Sequence, residues 1–178
     1  MNEYTLEELE KGIDTIVTFF ARWEPGVTNG HRVHLAILQE PYLSLILDGT
    51  KTIESRFSQK RIAPFKKAKP GDIILLKRSS GSVEGICKVN RSWFFEMNPG
   101  VVKRLREEFY EQLCIDDQAY WKNKIEPSSY GSLLEVSNVV RVDHFKVTKK
   151  DRRPWVIIKD EHDLTKERGL TLLDFNKI

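Results

Sequence analysis

Gly49-Thr50-Lys51-Thr52-Ile53-Glu54-Ser55-Arg56 is the stretch on which the fold reading turns. Upstream of it, Pro41 suits the first turn of a helix, Tyr42, Leu45 and Ile46 supply an apolar face, and Gly49 stands where a helix ends on a C-terminal cap. A short helix over residues 40–48 follows. Downstream, Thr52 to Phe57 alternates as a strand does, and side chains in a strand repeat every two residues, so Glu54 and Arg56 share a face. A helix end, a glycine turn and a strand start therefore bring one Lys, one Glu and one Arg together within a few residues. The same residues also fit a turn lysine beside an ion pair on a solvated strand face.

Working outward, Arg32 to Leu38 reads as a strand. Pro70-Gly71-Asp72 turns into a strand over Ile73 to Lys77, and Ser79-Ser80-Gly81-Ser82 turns back into Val83 to Val89, which makes a hairpin. Asn98-Pro99-Gly100 opens a helix over Val101 to Leu113, and a second short helix spans Asp117 to Asn123 with Tyr120 and Trp121. Leu133 to Val142 and Trp155 to Ile158 read as strands. At the N-terminus Thr5 and Glu8 form a capping box, and Leu6, Leu9, Ile13, Ile16, Val17 and Phe20 recur at helical spacing. Five or six strands with short turns and no βαβ alternation predict an α+β domain with a small mixed or antiparallel sheet. The expected organisation is a helical arm over residues 1–30, one domain over residues 31–160 and a tail over residues 161–178.

A chain of 178 residues has room for one such domain, and 40 % apolar content with nine Phe and four Trp excludes disorder. The longest apolar runs, such as Ile73 to Leu76, are far below the roughly 20 residues of a membrane-spanning helix. Two cysteines, Cys87 and Cys114, build no disulfide framework, and the start lacks a secretory pattern, so a cytoplasmic, reducing compartment and no membrane are expected.

The net charge of +3 hides an uneven distribution. Residues 1–31 carry −4, residues 50–78 carry +7, and residues 146–153 carry +4. Two basic blocks on one face would attract a polyanion, nucleic acid being the commonest, and a solvated lysine-rich surface explains the same counts. Nucleotide cradles of the G-x-G-x-x-G and P-loop kinds are absent, His31 and His34 lack companions for a zinc site, and no G-x-S-x-G elbow occurs. Neither a metal nor a cofactor is expected.

The run Leu35 to Leu38, Pro41, Ile46, the G-x-K-x-x-E-x-R core at Gly49, Lys51, Glu54 and Arg56, Pro70-Gly71-Asp72-x-Ile74 and Gly85 together resemble the ASCH domain of the PUA-like superfamily. Asp151 to Ile157 is similar to a closing strand of bacterial members. The resemblance spans roughly residues 33–159. It implies a small PUA-like β-barrel with flanking helices, its cleft lined by the G-x-K-x-x-E-x-R segment, and RNA or nucleoside recognition. In some small members it implies amide hydrolysis on N4-acetylcytidine, and in others ribonuclease activity. In the amidohydrolases the lysine matching Lys51 is catalytic, and Glu54 stands where they carry a nucleophilic threonine.

On this basis the expected function is RNA, nucleotide or nucleoside binding, with Lys51, Glu54 and Arg56 reading a base or ribose and Lys60, Arg61, Arg78, Arg152 and Arg153 holding phosphates. Trp93 or Trp155 would stack a base. The alternative is a small hydrolase in which Glu54 is the general base and Lys51 stabilises negative charge, a second acid coming from Glu107, Glu108 or Glu111. A module binding a protein or small metabolite is the third reading. An acidic arm near a basic cleft would compete with phosphates, and its deletion would then raise RNA affinity.

Overall fold

The computed structural model describes residues 2–10, 31–149 and 152–159. Seven strands are found there: β1 (Glu3–Thr5), β2 (Val33–Leu38), β3 (Ile53–Ser58), β4 (Ile73–Arg78), β5 (Val83–Glu96), β6 (Tyr130–Thr148) and β7 (Trp155–Lys159). The helices are α1 (Tyr42–Leu47), α2 (Pro99–Glu108), α3 (Tyr110–Leu113) and α4 (Gln118–Tyr120), the last running into a π-helical turn at Trp121–Ile125.

β4 explains the middle of the sheet. Its run Ile73-Ile74-Leu75-Leu76 has no polar face, as a strand covered on both sides requires. Ile73 and Leu75 enter a cluster with Val33, Leu35, Phe145 and Val147, while Ile74 and Leu76 enter another with Leu43, Ile46, Val89 and Trp155. β4 pairs parallel with β2 and antiparallel with β5, so the sheet is mixed. The long β6 is its spine. One edge of β6 pairs with β5 from Val83↔Phe145 to Glu96↔Tyr130, and three register shifts along that ladder bend it. The other edge pairs with β3 through its first six residues and with β1 through Lys146 to Thr148.

Strand order β1-β6-β5-β4-β2-β7, with β3 on β6, corrects the expected barrel. The sheet has seven strands rather than five or six and does not close: among the described residues no backbone ladder joins β3 to β2 or β7. Arg56 spans that seam instead. From β3 its guanidinium donates to the backbone oxygens of Ile37 at 2.9 Å and Pro154 at 3.4 Å. Replacing Arg56 by alanine removes both bonds and leaves the buried Glu54 carboxylate without its cation, so a loss of about 3 kcal/mol is expected in urea unfolding. Arg56→Lys, which keeps the charge but not the planar fork, recovers only part of it.

The N-terminus also differs from an all-helical arm. Glu3 to Thr5 form a parallel strand on β6 before a further helical stretch, described over residues 6–10, begins, and Leu9 is buried in the sheet's core. The capping box is present, with the Thr5 amide donating to Glu8 at 2.7 Å and the Glu8 amide to Thr5 Oγ1 at 3.2 Å. The rest of the expected arm, residues 11–30, and the tail over residues 161–178 lie outside the described residues. No helix among the described residues is long and apolar enough to cross a membrane.

The expected helix over Val101 to Leu113 is two helices. Asn98 caps the first through the Val101 amide at 3.0 Å, and the chain breaks at Phe109 before α3 ends on a left-handed Cys114. α2 to the π-helical turn fold over β3 and the start of β6, with Trp121, Leu105, Leu113 and Ile125 packed on Ile53, Phe57 and Leu133. This helical cap faces the open seam.

Candidate functional site

The glycine turn works as the local sequence suggests. Gly49 has φ +83°, a conformation that costs side-chain-bearing residues, and it lets the Lys51 amide fold back to the Leu45 oxygen at 2.8 Å. The turn drives the Lys51 side chain inward, where it is only 2 % exposed. There Nζ donates to the Leu113 backbone oxygen of the cap at 2.6 Å and lies 5.4 Å from the centre of the Tyr42 ring. Burial pushes the Lys51 amine down from its ordinary value, against the opposing pull of the Glu54 charge.

Glu54 is 4 % exposed, and its Oε1 accepts from Arg56 Nε at 2.7 Å, as the two-residue strand period requires. Arg56 lies over the Trp155 ring at 5.1 Å. Lys51, Glu54 and Arg56 line a cleft of about 360 Å³ at the seam, walled by Tyr42 and Tyr120 and rimmed by Lys124 and Arg152. Burial and the Glu54 charge push the Tyr120 hydroxyl up to about 12, and burial with Asp117, Glu54 and Asp116 raises that of Tyr42. Both phenols stay protonated near neutral pH and keep a proton to donate.

Of the eight charged residues expected at the site, Lys51, Glu54, Arg56 and Arg152 line this cleft, whereas Lys60, Arg61, Arg78 and Arg153 do not. Arg61 is paired with Glu96 at 2.7 Å and lies over Tyr130. Arg78 is held by Glu84 at 2.6 Å and by Glu40. Glutamates, most of them distant in sequence, thus already pair with both arginines. Glu107 and Glu108 pair with Lys103 and Arg104 on the surface of α2, away from the cleft. Stacking by Trp155 is ruled out by its burial at 3 % exposure, and Trp93 packs edge-on against Phe109. Tyr42 and Tyr120 line the cleft with their rings in tilted contact, 6.1 Å between centres, and Phe57 lines it as well. Tyr42 stands in the sequence as part of the apolar face of α1, and nothing local marks it as a cleft residue. Lys124 lies in the π-helical turn and carries no motif.

A second cavity, of about 710 Å³, shares Gln39, Tyr42 and Tyr120 with the cleft. Glu40, Glu111, Asp116 and Asp117 line it, so its field is opposite in sign to the Lys124 and Arg152 rim. A phosphate is favoured at the rim and disfavoured there.

A bent mixed sheet with a helical cap across an open seam, and a cleft between them, is an ASCH-like fold. The ASCH protein of Zymomonas mobilis superposes with a TM-score of 0.52 at 14 % identity, covering 64 % of this chain and 73 % of that one. A serine-to-alanine variant of the same protein gives 0.59 at 13 % identity, over 76 % and 94 % of the two chains. A tyrosine-to-phenylalanine variant gives 0.55 at 13 % identity, over 74 % and 94 %. Likeness at such identity establishes the fold alone. No protein-family model matches the sequence, and no curated protein matches it.

Proposed function

We propose that the protein binds a nucleoside or nucleotide in the cleft, free or as an unpaired residue of RNA. The observation that carries this reading is the convergence of Lys51, Glu54 and Arg56 on one cleft beside the contacting Tyr42 and Tyr120 rings. Its volume, about 360 Å³, is in the range of sites for small molecules and accommodates one base with its sugar rather than a strand. A base stacked on Tyr42 or Tyr120 gains about 1–3 kcal/mol, Glu54 accepts from an exocyclic amine or ribose hydroxyl, and Lys51 donates to a carbonyl oxygen. Arg152 and Lys124 at the rim receive a phosphate. The neighbouring acidic cavity gives the bound nucleotide one direction, phosphate toward the rim.

A second reading, amide hydrolysis on an acylated base, draws on the state of Lys51. An ammonium offers three donors, and among the described residues only the Leu113 oxygen is hydrogen-bonded to Nζ. Its remaining donors are available to a ligand oxygen in the cleft that Lys51 lines. Water attacks the acyl carbonyl as Glu54 Oε2 takes its proton, Lys51 donates to the oxyanion, and the proton passes to the departing amine.

Titration calorimetry with cytidine, cytidine monophosphate, N4-acetylcytidine and a short single-stranded RNA tests both readings. The nucleosides are expected to bind with little salt dependence. The monophosphate is expected to add affinity that falls as salt rises, and the RNA to lose about 0.7 in log K per log unit of salt for each phosphate contact. Absence of binding by all four ligands at low salt overturns the first reading. Acetate release from N4-acetylcytidine that survives in Lys51→Ala overturns the second.

A further inference from the structure

We propose that His34, which lies outside the cleft, is a positioning residue of the site, acting through Trp155 on Arg56 and Glu54. The inference rests on the proposed use of Arg56 and Glu54, and its first readouts need no ligand.

His34 has no exposed surface, and its imidazole joins two groups from distant parts of the chain. Trp155 Nε1 lies 3.1 Å from His34 Nδ1, and Asp72 Oδ2 lies 3.0 Å from His34 Nε2. An indole N–H can only donate, so Nδ1 must accept, and the ring proton sits on Nε2, directed at Asp72. Asp72 is itself immobilised. Its Oδ1 accepts from the Arg32 amide at 3.0 Å and its Oδ2 from the Lys69 amide at 2.8 Å, in the turn around Pro70-Gly71. The turn thus fixes the carboxylate, the carboxylate fixes the imidazole, and the imidazole fixes the tilt of the indole.

On the indole face lies the Arg56 guanidinium, 5.1 Å from the ring centre, with Nε on Glu54 at 2.7 Å. Cation–π attraction depends on the ring's presenting its face, so an indole free to tilt loosens its hold on Arg56 and the aim of Glu54 into the cleft. The proline-glycine-aspartate turn and the G-x-K-x-x-E-x-R segment are in this way two ends of one chain of contacts. Positioning at this distance follows the pattern in which buried hydrogen bonds orient the groups that meet the ligand.

Two half-replacements separate the links. In His34→Asn the side-chain amide occupies the place of Nδ1 and still accepts from Trp155, whereas in His34→Gln it reaches the place of Nε2 and serves Asp72 alone. Nitrogen-15 NMR of the wild-type protein is expected to show His34 protonated at Nε2 only, and the Nδ1-protonated tautomer overturns the proposal. The Arg56 Nε–H signal, assigned by its loss in Arg56→Lys, is expected to persist in His34→Asn and to exchange with water about tenfold faster in His34→Gln, the worth of one hydrogen bond. Affinity for N4-acetylcytidine follows the same order. An Arg56 signal unchanged in His34→Gln, or equal behaviour of the two variants, overturns the proposal. Should neither variant fold, the wild-type tautomer still decides. If cytidine, cytidine monophosphate, N4-acetylcytidine and the RNA all fail to bind the wild type, the functional reading is at fault, and the Arg56 signal tests the positioning role independently.

Discussion

Replacing Lys51 by methionine is expected to weaken ligand binding in the cleft by about one to two orders of magnitude while leaving the fold about as stable as the wild type. Loss of a charge-assisted hydrogen bond costs about 1.5–3 kcal/mol, roughly a tenfold to 150-fold drop in affinity. For folding the terms oppose one another. The thioether keeps most of the buried stem and relieves the desolvation of an ammonium that is 2 % exposed, but the Leu113 oxygen loses its donor. Linkage separates the two terms. Burial lowers the Lys51 amine from its ordinary 10.5, so between the folded value and 10.5 the unfolded chain binds more protons than the folded one. Wild-type stability therefore gains an increment as pH rises through that window, and Lys51→Met lacks it. Urea unfolding at a series of alkaline pH values measures the difference, and an identical slope in the variant shows that the buried amine is not its source.

Trp121→Ala is expected to cost about 3–5 kcal/mol, the range for truncating a fully buried tryptophan. At this chain length that is a fall in Tm of roughly 6–20 °C. Trp121 has no exposed surface, donates from Nε1 to the Ile115 oxygen at 2.8 Å, and lies under the Arg106 guanidinium at 4.2 Å. It joins the helical cap to β3, and Ile115 and Tyr120 beside it line the cleft, so ligand affinity is expected to fall with stability. Trp121→Phe retains the bulk and loses the hydrogen bond, and an intermediate cost is expected. Thermal and urea unfolding check both values, and a loss below about 1 kcal/mol for the alanine variant shows that the cap does not depend on this anchor.

Short-range chemistry makes parts of the fold legible in the sequence. The capping box at Thr5, the end of α1 at Gly49, the hairpin of β4 and β5, and the Asn98 cap each depend on residues a few positions apart. The Glu54–Arg56 pair follows from the strand period alone. Strand lengths do not. β5 runs on from Val89 through the polar Asn90-Arg91-Ser92 to Glu96, and this continuation stays extended because β6 supplies its hydrogen bonds. β1 has only three residues and exists because β6 offers it an edge. Gly85 has a reason that no local pattern contains, since a Cβ there would lie 2.5 Å from Leu47 Cδ2 and 3.2 Å from the Val140 oxygen.

By itself the sequence determined the α+β class and the local elements around Gly49 to Arg56, because propensity, turn geometry and strand period act over short distances. The resemblance to ASCH domains came from a motif match, and the fold bears it out. Only the tertiary structure decided that the sheet stays open, that Arg56 crosses the opening, and that Tyr42, Tyr120 and Lys124 complete the cleft. It also decided which cations were already taken. Arg61 and Arg78 count as positive charges in a sequence, yet Glu96, Glu84 and Glu40 hold them, most of these pairings joining segments far apart in the chain. Charge counting adds residues one at a time, whereas the field at a cleft depends on distances that only folding sets.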